Sequence, residues 1–249
     1  MKTSDVMLGN VRAMTVEKLL EDDASGLRAY ESLRTRPSFQ LQLVLSGASL
    51  TEDDLHACID LVEATSGADY KASSIGWHRS AKAEEMMDPK MILLLLRENS
   101  VRSNPHTKGP TGGDNVCPLH APNFYYAQNP VSSARSRNNR IIGFISFMFT
   151  SDDPPHEDRE VVYIYEIHLA ESLRGQGLGS HLIRFAELVA QQCGISKIML
   201  TVFTANTGAK ALYERLGYSK DACSPRDKVM RRKVVKADYM IMSKELAGS

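Results

Sequence analysis

The chain has 249 residues, and its 30 lysines and arginines balance its 30 aspartates and glutamates. This length permits one large domain or two small ones, and 43% hydrophobic with 24% charged residues is ordinary for a folded soluble protein. The balanced charge excludes a global field that would attract nucleic acid or a membrane, so electrostatic recognition has to be local.

The sequence gives little sign of disulfides or of a metal site. Its four cysteines form no C-x-x-C pair, a pattern typical of a reducing compartment; they are Cys58, Cys117, Cys193 and Cys223. The Cys117-x-x-His120 pair, with His106 upstream, lacks a fourth ligand at a convincing spacing. We therefore predict no bound metal.

No segment resembles a membrane anchor or a leader. Apolar runs stay well short of the roughly 20 residues that a membrane span needs. The start Met-Lys-Thr-Ser has neither a signal-peptide pattern nor the glycine required for myristoylation. We expect a protein of the cytoplasm and nucleus that does not bind membranes.

The first elements alternate between helix and strand. We predict an N-terminal helical extension over residues 1–35, packed on a domain spanning 36–249. Its apolar positions near helical spacing are Val11, Met14, Val16, Leu19 and Leu20. The next predicted elements are a strand (39–45), a helix with cap chemistry at Ser49, Thr51 and Asp54, a loop (70–77), a short helix (81–87) and a buried strand (91–96).

The second half of the chain continues the alternation after an interruption. Residues 99–139 are rich in Pro, Gly, Asn and Ser, which predicts a low-complexity surface insertion. The later predicted elements are strands at 141–149, 161–169, 198–203 and 239–242, helices at 179–193 and 208–216, and a basic exposed hairpin at 226–236. Alternating strands and helices predict an α/β architecture.

A glycine-rich loop at 174–179, Arg-Gly-Gln-Gly-Leu-Gly, lies between a predicted strand and a predicted helix. Glycines let the backbone approach a ligand closely, and free amides at a helix start favour phosphate oxygens. The loop fits neither the Walker pattern nor the dinucleotide G-x-G-x-x-G pattern. A pyrophosphate cradle and a ligand-free glycine turn both remain open at this point.

The loop resembles the Arg/Gln-x-x-Gly-x-Gly/Ala signature of the GNAT acetyltransferases, and residues 201–218 resemble the second half of that family's domain. The resemblance covers about 140–218. It implies a GNAT fold, with a mixed central sheet flanked by helices and here an added N-terminal helix, and acetyl-CoA as cosubstrate. The cofactor contacts it implies are Ile167, His168, Leu169, Arg174, Gly175, Gln176, Gly177, Leu178, Gly179, Asn206 and Tyr213.

Finer features resemble the NatD family of N-terminal acetyltransferases, whose acceptors are histone tails that begin Ser-Gly-Arg-Gly. The strand at 163–169, Tyr-Ile-Tyr-Glu-Ile-His-Leu, is similar to that family's Tyr-x-Tyr-Glu-Val-x-Leu strand. The 70–77 stretch and the Glu84-Glu85-Met86 segment after it resemble that family's substrate-side loop and helix, except that Ile75 stands where the family has a second Trp in the loop.

This second resemblance implies direct acetyl transfer to the N-terminal amine of histone H4 and histone 2A tails by a monomer. It leaves ribosome association open and needs no nucleic acid. Two alternatives stay open: a GNAT enzyme acting on a lysine side chain or a small amine, and a catalytically inactive module that binds CoA or chromatin. The substrate-binding residues predicted are Tyr70, Trp77, Asp152, Tyr163, Tyr165 and Glu166.

Three residues are catalytic candidates: Glu166, Tyr165 and Tyr213. An α-amine has a pKa of about 7.7–8.0, so modest help from a base is sufficient. Burial in an apolar strand would raise the pKa of Glu166 and let it accept a proton directly or through water. A purely structural carboxylate is the alternative. Tyr213 could protonate the leaving thiolate or pack against pantetheine.

Strand alternation predicts that Tyr163 and Tyr165 share one face, and that Glu166 and His168 share the other. The acidic turn before this strand would attract a basic tail. Within that turn we choose Asp152 as the contact, with Asp153 close behind.

Overall fold

The computed structural model of the protein describes residues 3–27, 39–98, 140–231 and 233–247. The helices are α1 (Thr3–Glu21), α2 (Glu52–Ala72), α3 (Arg79–Met86), α4 (Leu178–Gln192) and α5 (Thr207–Arg215). The strands are β1 (Phe39–Val44), β2 (Ile92–Glu98), β3 (Ile141–Ser151), β4 (Glu160–Leu169), β5 (Lys197–Phe203), β6 (Ser219–Lys220), β7 (Lys228–Met230), β8 (Lys233–Val235) and β9 (Tyr239–Glu245). The predicted insertion at 99–139, with Cys117, His106 and His120, lies outside the described residues, as does the 28–35 part of the predicted extension.

A mixed seven-stranded sheet, in the order β1-β2-β3-β4-β5-β9-β6, forms the centre of the fold. The pairing between β4 and β5 is parallel, and the other pairings are antiparallel. Apolar side chains cover both faces of β2 and β3, as expected for strands packed between two layers of helices. One core includes Phe147 and Phe185, with α1 and α4 on that face; the other includes Ile59 and Phe144, with α2 and α3.

Helix α1 contacts the domain through one narrow stripe. Val16 and Leu20, four residues apart, are buried in the core that contains α4. Val11 is 60% exposed and Met14 is 68% exposed, so the prediction that they belong to the packed face was wrong. Because successive residues are rotated by about 100° around a helix axis, Val11 and Met14 lie on a different side of α1 from Val16 and Leu20.

Helix α2 is longer than the sequence pattern predicted. The Thr51 hydroxyl accepts a hydrogen bond from the Asp54 amide at 3.2 Å, so Thr51 is the cap among the three predicted candidates. At its other end the helix continues to Ala72, so Tyr70 lies in the last helical turn and not in a loop. The Tyr70 ring packs edge-on against Phe203 at 4.8 Å, a tertiary contact that holds this turn helical.

A β-bulge in β4 changes which side chains share a face. Ser146 of β3 lies opposite Glu166, whereas Phe147 lies opposite Ile164, so Tyr165 is the extra residue. The bulge shifts the alternation by one. Glu166 therefore shares the α2–α3 face with Tyr165, which corrects the opposite-face prediction.

Strands β4 and β5 separate just beyond the bulge. They pair only from Val162 to Ile164 on β4 and from Ile198 to Leu200 on β5. The remaining residues of β4, up to Leu169, have their β5-side edge open. This opening in the middle of the sheet positions the site.

Candidate active site

Two cavities meet at the opening between β4 and β5. The inner cavity lies among the separated strand ends and α5, and its lining includes Glu166, Asn206 and Tyr213. The outer groove crosses strands β3, β4, β5 and β9, and its lining includes Glu85 and Asp153. Four residues line both spaces: Tyr70, Ile75, Tyr165 and Thr201. The arrangement lets two ligands approach each other from opposite sides.

Glu166 stands at this junction with three close partners. Its Oε1 accepts hydrogen bonds from the Tyr70 hydroxyl at 2.7 Å and from the Lys82 ammonium at 2.6 Å. Its Oε2 lies 2.5 Å from Nε2 of His168, whose Nδ1 lies 2.5 Å from the Thr65 hydroxyl. The side chain is only 6% exposed, so these partners replace water almost completely.

The charges around Glu166 overturn the predicted direction of its pKa. Burial alone would raise the pKa, but the neighbouring His168 and Lys82 overcome burial and lower it to about 2. Burial likewise lowers the pKa of Lys82 by itself, yet Glu166 raises it above its ordinary value. The pair is therefore ionised at neutral pH. Glu166 is a charged anchor and, in this arrangement, a poor proton acceptor.

The tyrosines at the junction stay protonated. Burial and then Glu166 raise the pKa of Tyr213, and burial and then Glu85 raise that of Tyr165. Burial also raises the pKa of Tyr163, whose hydroxyl lies 2.5 Å from Thr201 Oγ1. Tyr213 faces the inner cavity as a neutral hydroxyl that can donate a proton.

The glycine-rich loop fits a phosphate ligand. Gly175 and Gly177 have φ values of +70° and +89°, and a Cβ added at either would meet no atom within 4 Å. Gly177 is also the N-cap of α4, so no side chain occupies the amides of the first helical turn. The Arg174 Nε donates to the Leu169 carbonyl at 2.9 Å and thereby ties the loop to the end of β4.

The other predicted cofactor contacts have mixed placements. Ile167 and His168 line the inner cavity. A Cβ added at Gly179 would lie 3.7 Å from Leu212, an ordinary van der Waals contact, so packing does not require glycine there. The Leu178 side chain is buried in the core, so it could face a cofactor only through its backbone. Asn206 lines the cavity while its Oδ1 caps α5 by accepting from the Ala209 amide at 3.0 Å.

Asp152 is a structural residue, which corrects its predicted contact with substrate. It is buried, and its carboxylate accepts from the Lys197 ammonium at 2.8 Å. Lys197 also pairs with Asp221 at 2.8 Å. Asp153, the second choice, lines the outer groove instead.

This difference predicts opposite phenotypes for two neighbouring substitutions. We expect Asp152→Asn to lower the free energy of unfolding by about 2 kcal/mol, because Lys197 keeps only Asp221. Asp153→Asn should leave stability within about 0.5 kcal/mol and raise the KM for a basic peptide several-fold. Urea unfolding and peptide kinetics on both variants check this; a KM effect confined to Asp152→Asn would contradict it.

Several residues of the site were not predicted as site residues. Lys82 was within a predicted helix, but nothing marked it as buried beside a carboxylate, and Glu85 was noted only within a segment that resembles a NatD helix. Ile75, noted only as a departure from a family pattern, lines both cavities. Trp77 lines neither and instead packs against Tyr70, with 5.3 Å between the ring centroids, so it supports the site from outside.

Comparisons with known proteins agree with this geometry. Residues 101–218 match the sequence model of the Acetyltransferase (GNAT) family. That match agrees with the separated strands β4 and β5 and with the glycine-rich loop, and the three observations together identify the fold. The fold is that of the GNAT acetyltransferases. Acetyl-CoA is the acetyl donor of this class, and the open cradle at the start of α4 suits its pyrophosphate.

Individual relatives are more distant. The chain is 28% identical to N-alpha-acetyltransferase 40 of Saccharomyces cerevisiae over 82% of this chain and 63% of the yeast protein. It is 28% identical to L-2,4-diaminobutyric acid acetyltransferase of Halalkalibacterium halodurans over 37% of this chain and 45% of that protein. The chain thus spans less than two thirds of the length of either relative. A solved structure of Arabidopsis thaliana NAA60 with a bisubstrate analogue is similar over 84% of this chain and 100% of that one, with 14% identity and a TM-score of 0.49.

Within residues 3–27, 39–98, 140–231 and 233–247, no group of three or more His, Cys, Asp or Glu side chains is arranged to hold a metal ion. In the same part of the chain, no helix combines the length and apolar character of a membrane span.

Proposed function

We propose that the protein is an acetyl-CoA-dependent N-terminal acetyltransferase whose acceptors are histone tails that begin Ser-Gly-Arg-Gly, those of histone H4 and histone 2A. The observation that carries the proposal is the meeting of the two cavities at Tyr70, Ile75, Tyr165 and Thr201. A thioester in the inner cavity and an amine entering from the outer groove would meet there. The 28% identity to a yeast N-alpha-acetyltransferase supports the same class of acceptor.

The charge of the outer groove supports a basic acceptor. Glu85 and Asp153 line it, and Asp88 lies close enough to affect Tyr165. The one basic side chain among its described lining residues is Lys82, which Glu166 and Glu85 already pair. An arginine-containing tail would find complementary charge along this path.

The residues suggest roles in direct transfer. The loop amides at 174–179 hold the pyrophosphate, and the inner cavity takes the thiol end of the donor, which supplies an activated acetyl group. Tyr213 donates a proton toward the departing sulfur, and Tyr70 and Tyr165 orient the acceptor amine. No cysteine among the described residues lines either cavity, which supports transfer without an acyl-enzyme.

The test is acetylation of a synthetic Ser-Gly-Arg-Gly-Lys-Gly peptide with the site located by tandem mass spectrometry. We expect the acetyl group on the serine α-amine and none when that amine is blocked. Acetyl only on the lysine side chain, or transfer only to small amines, would refute the proposal and favour another GNAT activity. CoA binding without any transfer would point to an inactive binding module.

Cellular context stays a proposal that follows from the acceptor. Histone tails are made in the cytoplasm and used in the nucleus, so we propose both locations. We also propose that the protein acts as a monomer.

A further inference from the structure

Lys82 joins two carboxylates at the junction of the cavities. Its ammonium donates to Glu166 Oε1 at 2.6 Å and to Glu85 Oε1 at 2.7 Å, and the residue is only 8% exposed. Glu166 faces the inner cavity and Glu85 faces the outer groove. The buried Lys82 ammonium thus connects Glu166, in the inner cavity, to Glu85, in the outer groove.

Glu85 shares its cationic partner with Glu166, since the Lys82 ammonium donates to both carboxylates. Glu166 has the imidazole of His168 as a further partner, whereas no second cation contacts Glu85 among the described residues. The other titratable groups that approach are the neutral hydroxyls of Tyr70 and Tyr165, the imidazole of His168 behind Glu166, and the carboxylates of Asp88 and Asp153. In the described lining of both cavities, Lys82 is the sole lysine or arginine.

We propose that the acceptor's own α-ammonium is the second cationic partner of Glu85, and that Glu85 is the residue that binds it and receives its proton. The inference rests on the proposed function and deepens it by naming the proton acceptor. Glu166 already has three close partners and is sealed from water, whereas the Glu85 side chain is 32% exposed and borders the groove. Glu85 can therefore contact the incoming amine and exchange protons with solvent.

The pKa directions agree with this division of roles. Burial raises the pKa of Glu85, Lys82 opposes the rise, and Glu166 adds to it. The opposite shift makes Glu166 the weaker base of the two. Lys82 acts as a positioning residue because it keeps Glu166 ionised while holding Glu85 at the groove.

The proton balance is simple. The α-ammonium gives one proton to the Glu85 carboxylate, and the freed nitrogen lone pair attacks the thioester carbonyl carbon. As the amide forms, the carbon–sulfur bond breaks and Tyr213 protonates the departing CoA sulfur. The second nitrogen proton passes through water to the Tyr213 oxygen and restores its hydroxyl. Glu85 then releases its proton to water through the groove.

The experiment compares Glu85→Gln with Glu84→Gln, an exposed carboxylate on the same helix α3. Calorimetry at pH 6.5, in the presence of CoA, measures binding of Ser-Gly-Arg-Gly-Lys-Gly with a free and with an acetyl-blocked α-amine. We expect the wild-type protein and Glu84→Gln to prefer the free amine at least tenfold, and Glu85→Gln to lose that preference.

Turnover gives the second readout. The kcat/KM of Glu85→Gln should fall at least tenfold at pH 7. In the pH profile of kcat/KM, the midpoint of the acidic limb should move up toward the pKa of a free α-amine, about 7.7–8.0. An unchanged amine preference and pH profile in Glu85→Gln, or equal losses in Glu84→Gln, would overturn the inference. Absence of α-amine acetylation by the wild-type protein would sink the proposed function, while the binding arm, which needs no transfer, still decides the ammonium site.

Discussion

Replacing Glu166 with glutamine is expected to lower kcat about 100-fold and to lower the melting temperature at pH 7 by about 6–12 °C. The catalytic loss follows because Lys82 and Tyr70 both depend on this carboxylate for their positions, and a displacement near 1 Å costs about that factor. Removing one partner of a buried ion pair costs about 3–5 kcal/mol, and we take the lower value because Glu85 still pairs Lys82. Each kcal/mol corresponds to about 2–4 °C in a protein of this size.

The stability loss should depend on pH in a defined direction. Because the folded protein lowers the pKa of Glu166 to about 2, the ionised carboxylate stabilises the fold above its unfolded pKa of about 4.3. That contribution disappears as the pH falls through the folded value. The difference in unfolding free energy between wild type and Glu166→Gln should therefore have its largest value at pH 6–7 and decrease below pH 4.

A carboxylate on the same strand provides the control. Glu160 pairs with Arg12 at 2.5 Å but is 41% exposed, so Glu160→Gln should cost at most about 1 kcal/mol. It should also leave kcat unchanged. Urea unfolding from pH 3 to 7 and kinetics at pH 7 measure both effects. Equal stability of Glu166→Gln and wild type at pH 7 would show that the buried pair contributes nothing and that the assigned anchor role is wrong.

The parts of the site that depend on local sequence were predictable. The loop at 174–179 and the helix after it can be recognised from the glycine pattern and the start of the apolar helix. Residues 201–218 carry the second motif at a fixed separation along the chain from this loop. The β-strand and helix positions followed from apolar periodicity, and their ends differed from the prediction by one or two residues in most cases, as at α4, predicted at 179–193 and found at Leu178–Gln192.

The parts that depend on tertiary contacts were not predictable. The bulge at Tyr165 comes from the register between β3 and β4, which no single strand encodes. Lys82 resembles any exposed helix lysine until α3 is placed over β4 and its ammonium meets Glu166. The burial of Asp152 likewise follows from Lys197, 45 residues away, so an acidic run in the turn could not separate it from Asp153. The pKa of Glu166 was predicted in the wrong direction because the apolar strand indicates burial, whereas the contacts with His168 and Lys82 that overcome burial depend on the folded structure.

Replacing Gly177 with alanine tests the donor site with an internal control on the same helix. Gly177 (φ +89°) precedes α4, and Gly194 (φ +73°) follows it; a Cβ would meet no atom within 4 Å at either. An alanine in the left-handed region costs about 1–2 kcal/mol at each position, so urea unfolding should show similar losses for Gly177→Ala and Gly194→Ala. Only Gly177→Ala places a methyl group where the pyrophosphate would approach the helix start. We expect its calorimetric Kd for CoA to weaken at least tenfold while that of Gly194→Ala stays within twofold of wild type. If both variants bound CoA with equal affinity, the loop at 174–179 would not be part of the donor site. A methyl group at the start of α4 would then affect CoA binding no more than one at the far end of α4.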